Sequence, residues 1–141
     1  PDYVPQASEV KPPLILDTNN ELEKEFSRKE LIMAIHAKKK DTAPGLDKIT
    51  YSMIYNLPDN ALQFLLIIYN NIWNGLIPIP PIWKHFKMIA LLKPDKNEDD
   101  DTAYRPIALI SCLMKTMNKM VKKRLEWLAE KTNVIPSTQY G

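Results

Sequence analysis

The chain has a single cysteine, Cys112, in 141 residues. One cysteine excludes an internal disulfide and suits a reducing compartment. Glycine is scarce, with three residues in all, and no Gly-rich cradle ends in Gly-Lys-Ser/Thr, so a phosphate loop of that kind is excluded. The two histidines, His36 and His85, have no cysteine or carboxylate at metal-ligand spacing and read as packing or surface residues. Ser111 lies in no nucleophile-elbow pattern. Cys112 has no His/Asn partner near it in sequence, which leaves a buried structural thiol as its default role. No apolar run approaches the ~18–20 residues that span a bilayer; the longest is Phe64 to Tyr69. No signal-peptide pattern opens the chain, so an intracellular location in nucleus or cytoplasm, away from any membrane, is expected. Residue 1 is Pro1 rather than methionine, and the expectation is a piece of something longer.

What is present describes about one domain. The apolar fraction of 45% fits a globular chain, and a domain this size buries roughly two thirds of its unfolded surface. Net charge is only +2, so overall charge forces no nucleic-acid reading. Its distribution is uneven. Lys38-Lys39-Lys40 is a basic run, Asp99-Asp100-Asp101 an acidic one, and Lys115 to Lys131 is again basic. Residues 1–25 carry Pro1, Pro5, Pro12 and Pro13 without periodicity and read as a linker with a short extended piece at Leu14-Ile15-Leu16. Residues 26–141 form the expected domain.

Ser27-x-x-Glu30 is a capping box, with Phe26 and Leu31 placed for a hydrophobic staple. Leu31, Ala34, Ile35 and Lys38 follow at helical spacing, and this helix is expected to end near Lys40, with its lysines suiting the dipole. Pro44-Gly45 enforces a turn. One or two helical turns are expected over Thr50–Asn56, and a longer helix over Asn60–Asn74, buried on more than one side, with Gly75 as its C-cap. Pro78-x-Pro80-Pro81 must be extended. Phe86–Leu92 and Ile107–Ile110 read as strands of a hairpin around an acidic loop. Leu113, Met117, Met120, Val121, Leu125 and Leu128 define a stripe on a long amphipathic helix ending near Thr132. The fold class is α+β, mostly helical with a short antiparallel hairpin.

Lys93 and Arg105 flank the hairpin loop, so both cations could project from one edge of a small sheet. A mobile ammonium beside a planar guanidinium fork suits a triphosphate; alone, two basic residues near a loop are ordinary solvated surface. Asp95, Glu98, Asp99, Asp100 and Asp101 lack the alternating ligands and glycine of a calcium loop, read as a solvated tip, and would repel a phosphate backbone. In Pro44-Gly45-x-Asp47 the Pro and Gly make a turn and Asp47 can accept backbone hydrogen bonds near the next helix. The basic face of the last helix either follows nucleic-acid phosphates or is a solvated face of mixed Lys and Glu. Trp73, Trp83 and Trp127 either stack on bases or, as their settings favour, pack in the core.

Four strings in order carry a family likeness: Ala43-Pro44-Gly45-Leu46-Asp47, Leu91-Leu92-Lys93-Pro94, Tyr104-Arg105-Pro106-Ile107-Ala108-Leu109 and Gln139-Tyr140-Gly141. Trp73-Asn74-Gly75, Pro78, Trp83 and Arg124-Leu125 fall between them in family order. From Phe26 to Gly141 the chain resembles the front half of a reverse transcriptase, an RNA-directed DNA polymerase, of non-LTR (LINE-type, jockey-like) retrotransposons. The resemblance implies the fingers subdomain of a right-hand polymerase and the start of its palm. It implies triphosphate contacts from Lys93 and Arg105, template proximity for the segment Ala43–Asp47, and template or nucleic-acid contacts from Lys39, Lys40, Lys119 and Lys123. Tyr104, Pro106, Gln139 and Gly141 are motif residues with a structural role. The partners implied for the intact parent are an RNA template, a DNA primer and a deoxynucleoside triphosphate, together with the palm and thumb regions.

In that family the reaction is a two-metal phosphoryl transfer using Mg²⁺, held by aspartates of later motifs. No Tyr-x-Asp-Asp occurs in this sequence, so no metal ligand or catalytic residue is assigned here and no polymerase activity is expected of the chain alone. Two positions depart from the family pattern. Lys48 stands where glycine usually follows Pro-Gly-x-Asp, and Asn118 where glutamate is common; both fit a diverged or decaying copy. Two other readings are a non-enzymatic nucleic-acid-binding module derived from such an element, and a helical protein-interaction domain.

Overall fold

A computed structural model describes residues 22–37 and 42–132. In chain order the elements are α1 (Arg28–His36), α2 (Tyr51–Tyr55), α3 (Asp59–Trp73), α4 (Pro81–Lys84), β1 (Lys87–Leu92), β2 (Tyr104–Leu109) and α5 (Cys112–Lys131). A single 3-10 turn, Asp101–Ala103, lies between the strands. The architecture is α+β: helices around one core, and a two-stranded antiparallel hairpin. The linker up to residue 21, the run Lys38–Lys40 and Gln139-Tyr140-Gly141 lie outside the described residues.

Local chemistry sets most helix boundaries. The Ser27 backbone N–H donates to Glu30 Oε2 at 2.7 Å and the Glu30 N–H donates to Ser27 Oγ at 3.2 Å, which completes the capping box. α1 ends at His36, with Ala37 as C-cap, rather than near Lys40. His36 closes the last turn itself: its Nδ1 lies 2.8 Å from the Ile32 carbonyl, and its ring meets Tyr55 edge-on at 4.5 Å. Thr50 caps α2 through the Met53 N–H at 3.3 Å. α3 ends in a Schellman motif. The Leu76 N–H reaches the Asn71 carbonyl at 2.8 Å and the Gly75 N–H the Ile72 carbonyl at 3.0 Å, with Gly75 at φ +71°. Pro78 and Pro80 lie outside any helix or strand, Pro80 at φ −52° and ψ 133°, but Pro81 departs from the extended run expected and opens α4 at its first position, where a missing N–H costs nothing.

The core gathers one face of each helix: Leu31 and Ile35 of α1, Tyr51 and Ile54 of α2, Leu62, Leu66 and Tyr69 of α3, Trp83 of α4, and Cys112, Met117 and Met120 of α5. Burying each large apolar side chain contributes roughly 1.5–3 kcal/mol. Phe26 is buried with Leu31 in this cluster, as a staple requires. Burial on α5 follows Cys112, Thr116, Met117 and Met120. Leu125, expected in the apolar stripe, is instead exposed, because Arg124 occupies the inward position and Leu125 sits about 100° around the helix from it. Trp83 packs in the core and Trp73 lies partly buried against it, whereas Trp127 is exposed with the Lys131 ammonium 4.6 Å from its ring centre.

Candidate functional site

The hairpin is assembled from two strands of equal length. β1 pairs antiparallel with β2 in a register that sets Leu91 opposite Arg105 and Leu92 opposite Tyr104. β2 therefore begins at Tyr104, three residues earlier than the apolar run Ile107–Ile110 indicated. Pro106 is tolerated inside it because each strand has a partner on one side only. The Lys93 N–H donates to the Ala103 carbonyl at 2.8 Å, so the ladder runs one step past β1 and Lys93 faces Ala103. Side chains alternate along a strand. By that alternation, continued one step through the Lys93–Ala103 bond, Lys93 falls on the side of Leu91 and of Arg105 opposite it.

The two cations differ in their surroundings. Lys93 Nζ donates to the Thr102 carbonyl at 2.7 Å, which commits one of its three donors. Arg105 is exposed and makes no ion pair among the described residues. Tyr104, on the opposite face, ties the loop down by donating its hydroxyl to the Glu98 carbonyl at 3.1 Å. Asp100 Oδ1 accepts from the Thr102 hydroxyl at 2.7 Å and its N–H at 2.8 Å, and these bonds hold its carboxyl below the usual range. Pro94 and Asp95 form the turn after β1, with Asp95 at φ 59° and the Lys96 N–H 3.4 Å from the Lys93 carbonyl. Among the described residues no three His, Cys, Asp or Glu side chains converge as a metal site.

The segment Pro44–Asp47 meets the exit of the hairpin. A Cβ on Gly45 would stand 2.5 Å from the Ser111 nitrogen and 2.8 Å from the Ile110 carbonyl carbon, so only glycine permits this approach. Asp47 Oδ1 accepts from the Ile49 N–H at 3.2 Å, the local bond its position promised. Its Oδ2 also accepts from the Ser111 hydroxyl at 2.5 Å. Ser111 is the N-cap of α5, with its Oγ accepting from the Met114 N–H at 3.4 Å. The turn at residues 44–47 and the Tyr104–Leu109 strand are therefore braced together at the root of the hairpin. Lys48, which follows Asp47, is held at φ 58°, in the left-handed region that favours glycine.

Lys119 and Lys123 stand together on the rim of a cleft between α1 and α5, with Lys122 and Glu126. Lys122 and Lys123 both reach Glu126 at 3.4 Å. Lys39 and Lys40 lie outside the described residues.

Arg124, named in the sequence only for its place in the family order, has a structural role that sequence reading did not assign. Its Nε and one Nη grip Glu30 at 2.7 and 3.1 Å. The remaining donors go to the carbonyls of Leu22, Lys24 and Glu25, so all five guanidinium donors are used. The guanidinium also lies 4.3 Å over the Phe26 ring. Asn70 adds a second clamp: its amide accepts from the Phe26 N–H at 2.6 Å and donates to the Phe26 carbonyl at 3.1 Å, copying a strand pairing with one side chain. The capping box marked Glu30, but nothing local in sequence signals a partner nearly a hundred residues away.

Comparison with known proteins gives these motifs a context. The chain is 36% identical over 113 residues, 80% of its length, to the RNA-directed DNA polymerase from mobile element jockey of Drosophila melanogaster. It is 30% identical over 112 residues, 79% of its length, to the probable RNA-directed DNA polymerase from transposon BS of the same fly. Over about four fifths of its length the chain is thus similar to RNA-directed DNA polymerases of Drosophila mobile elements of the non-LTR type. The probable polymerase from transposon X-element matches at 28% over 116 residues, 82% of the chain. No protein-family model matches. The chain spans only 12–13% of the length of these retrotransposon polymerases. No helix of the described residues is long and apolar enough to cross a membrane.

Proposed function

We propose that the chain is the fingers portion, and the entry to the palm, of a retrotransposon RNA-directed DNA polymerase, and that Lys93 and Arg105 contact the triphosphate of the incoming deoxynucleotide. The observation that supports this reading is the strand register, in which Arg105 pairs with Leu91, together with the Lys93–Ala103 backbone bond that brings both cations to the loop end of a braced hairpin. The exposed guanidinium fork meets phosphate oxygens in pairs, while the Lys93 ammonium, fixed at one donor by the Thr102 carbonyl, offers its others. The acidic loop beyond them, Glu98 to Asp100, would repel a nucleic-acid backbone at that point.

The Gly45–Ser111 contact and the Asp47–Ser111 hydrogen bond support a positioning role for the Pro44–Asp47 turn, since they fix the root from which the hairpin projects. The wider partners, an RNA template and a DNA primer, belong to the parent polymerase in this proposal. So do the Mg²⁺ ions, which would supply phosphoryl-transfer chemistry from residues other than those described.

In a longer polymerase containing this segment, Lys93→Ala and Arg105→Ala are expected to raise the apparent nucleotide KM or lower kcat/KM. Each lost charge-assisted contact corresponds to roughly tenfold or more. Unchanged nucleotide kinetics in both variants would reject the assignment.

A further inference from the structure

α1 and α5 do not close completely on each other. Between them runs a cleft of about 320 Å³, floored by Ala34, Ala37 and Met120 and walled on one side by Met33, which is 59% exposed. Lys119, Lys122 and Lys123 line the other wall. Two carboxylates are present, but Glu30 is already paired with Arg124 at 2.7 Å. Glu126 alone faces Lys122 and Lys123, in two long pairs of 3.4 Å between exposed side chains. Such pairs are worth at most about 1 kcal/mol and yield to a better partner. The cleft is therefore apolar below and cationic along its rim.

We propose that this cleft docks a short acidic amphipathic helix from a protein partner. One apolar face would set anchor side chains against Met33 and Met120, and flanking Glu or Asp would take over Lys122 and Lys123 from Glu126. An apolar groove between two helices is the ordinary receptor for a helix read at i, i+3 and i+4. Unbranched, polarizable methionines adapt to anchors of different shape. The same features disfavour a nucleic acid here. Among the described residues no aromatic ring lines the cleft for a base to stack on, and the Arg124 guanidinium, paired with Glu30 at its edge, has every donor committed. This docking is independent of the triphosphate site on the hairpin.

The test uses the full chain with ¹³C-labelled methionine methyls. It is titrated with a panel of labelled helical peptides of about 14 residues, carrying Leu, Met or Phe at i, i+3 and i+4 and Glu elsewhere. The same panel with Lys in place of Glu, and a single-stranded RNA of similar length, serve as comparisons. At least one Glu-flanked peptide should shift the Met33 and Met120 methyl signals and bind about tenfold or more tighter than its Lys-flanked version. Met33→Glu, and separately Lys122→Glu with Lys123→Glu, should each weaken binding about tenfold while helical circular dichroism is unchanged. Both sites are on exposed side chains, so two independent variants remain if one fails to fold. A panel that leaves both methyls unmoved would overturn the proposal. So would RNA that shifts them with an affinity steep in salt and indifferent to Met33→Glu, which would make the cleft a nucleic-acid surface.

Discussion

At the scale of single residues, Arg124 does more than any other described side chain to join distant parts of the chain. It holds Glu30 in α1, three carbonyls of the segment before α1, and the Phe26 ring. Arg124→Lys keeps the charge and loses the fork, so it is expected to cost roughly 2–3 kcal/mol in urea unfolding, nearly as much as Arg124→Ala. Glu30 supplies a pH test. Partial burial raises its pKa, but hydrogen bonds from Arg124 and Ser27 outweigh this and hold the carboxyl below its ordinary value of 4.5. A depressed carboxyl contributes stability above its unfolded pKa and loses it as pH falls through the folded one. Melting temperature should therefore fall between about pH 5 and pH 3, and Glu30→Gln should lower the plateau and flatten that limb. Lys48 works in the other direction. It sits exposed at φ 58°, so Lys48→Gly is expected to stabilise the fold by roughly 0.5–1 kcal/mol, the relief of left-handed strain less the extra freedom of glycine when unfolded. A lower denaturation midpoint for Lys48→Gly would contradict this. The sequence reading noticed Lys48 as a departure from a family glycine; the backbone angle supplies the physical content of that departure.

At the scale of elements, what could be read in advance was what short-range chemistry decides. The Ser27/Glu30 box, the Thr50–Asn56 turn, the Asp59–Trp73 helix with its glycine, and the last helix to Lys131 all rest on neighbours within a few residues. What could not be read rests on contacts across the chain. Arg124 displaced Leu125 from the core face of α5 because of a partner in α1, and periodicity alone treats an arginine as surface. The candidate site divides in the same way. The hairpin and its two cations were legible from the apolar runs and turn signals. The brace between Gly45, Asp47 and Ser111 was not, since it links residues 64 apart. Gly45→Ala should destabilise by about 1–3 kcal/mol, because its Cβ would meet backbone rather than a movable side chain. Asp47→Ala should cost a similar amount by stranding the buried Ser111 hydroxyl. Both losses would appear in denaturation midpoints, and hydrogen exchange at the root of the hairpin should rise with them.

At the scale of the molecule, the helical core and the hairpin have different characters. The helices bury one another, whereas β1 and β2 pack chiefly on themselves and carry exposed Met88, Leu91, Leu92 and Ile107. A two-stranded hairpin is marginal alone in water, and here its root is held by the Pro44–Asp47 turn and by the start of α5. That arrangement suits a projecting arm that offers Lys93 and Arg105 to a ligand while the helical body keeps its base in place. The central claim is that these two side chains make one triphosphate contact. Its most direct test is a titration of the chain with inorganic tripolyphosphate, followed by ¹⁵N signals of the Arg105 guanidinium and the hairpin amides. Shifts confined to Lys93, Arg105 and their strand neighbours, and abolished by Arg105→Ala, are expected. Shifts spread over the lysines of α5, or none on the hairpin, would contradict it.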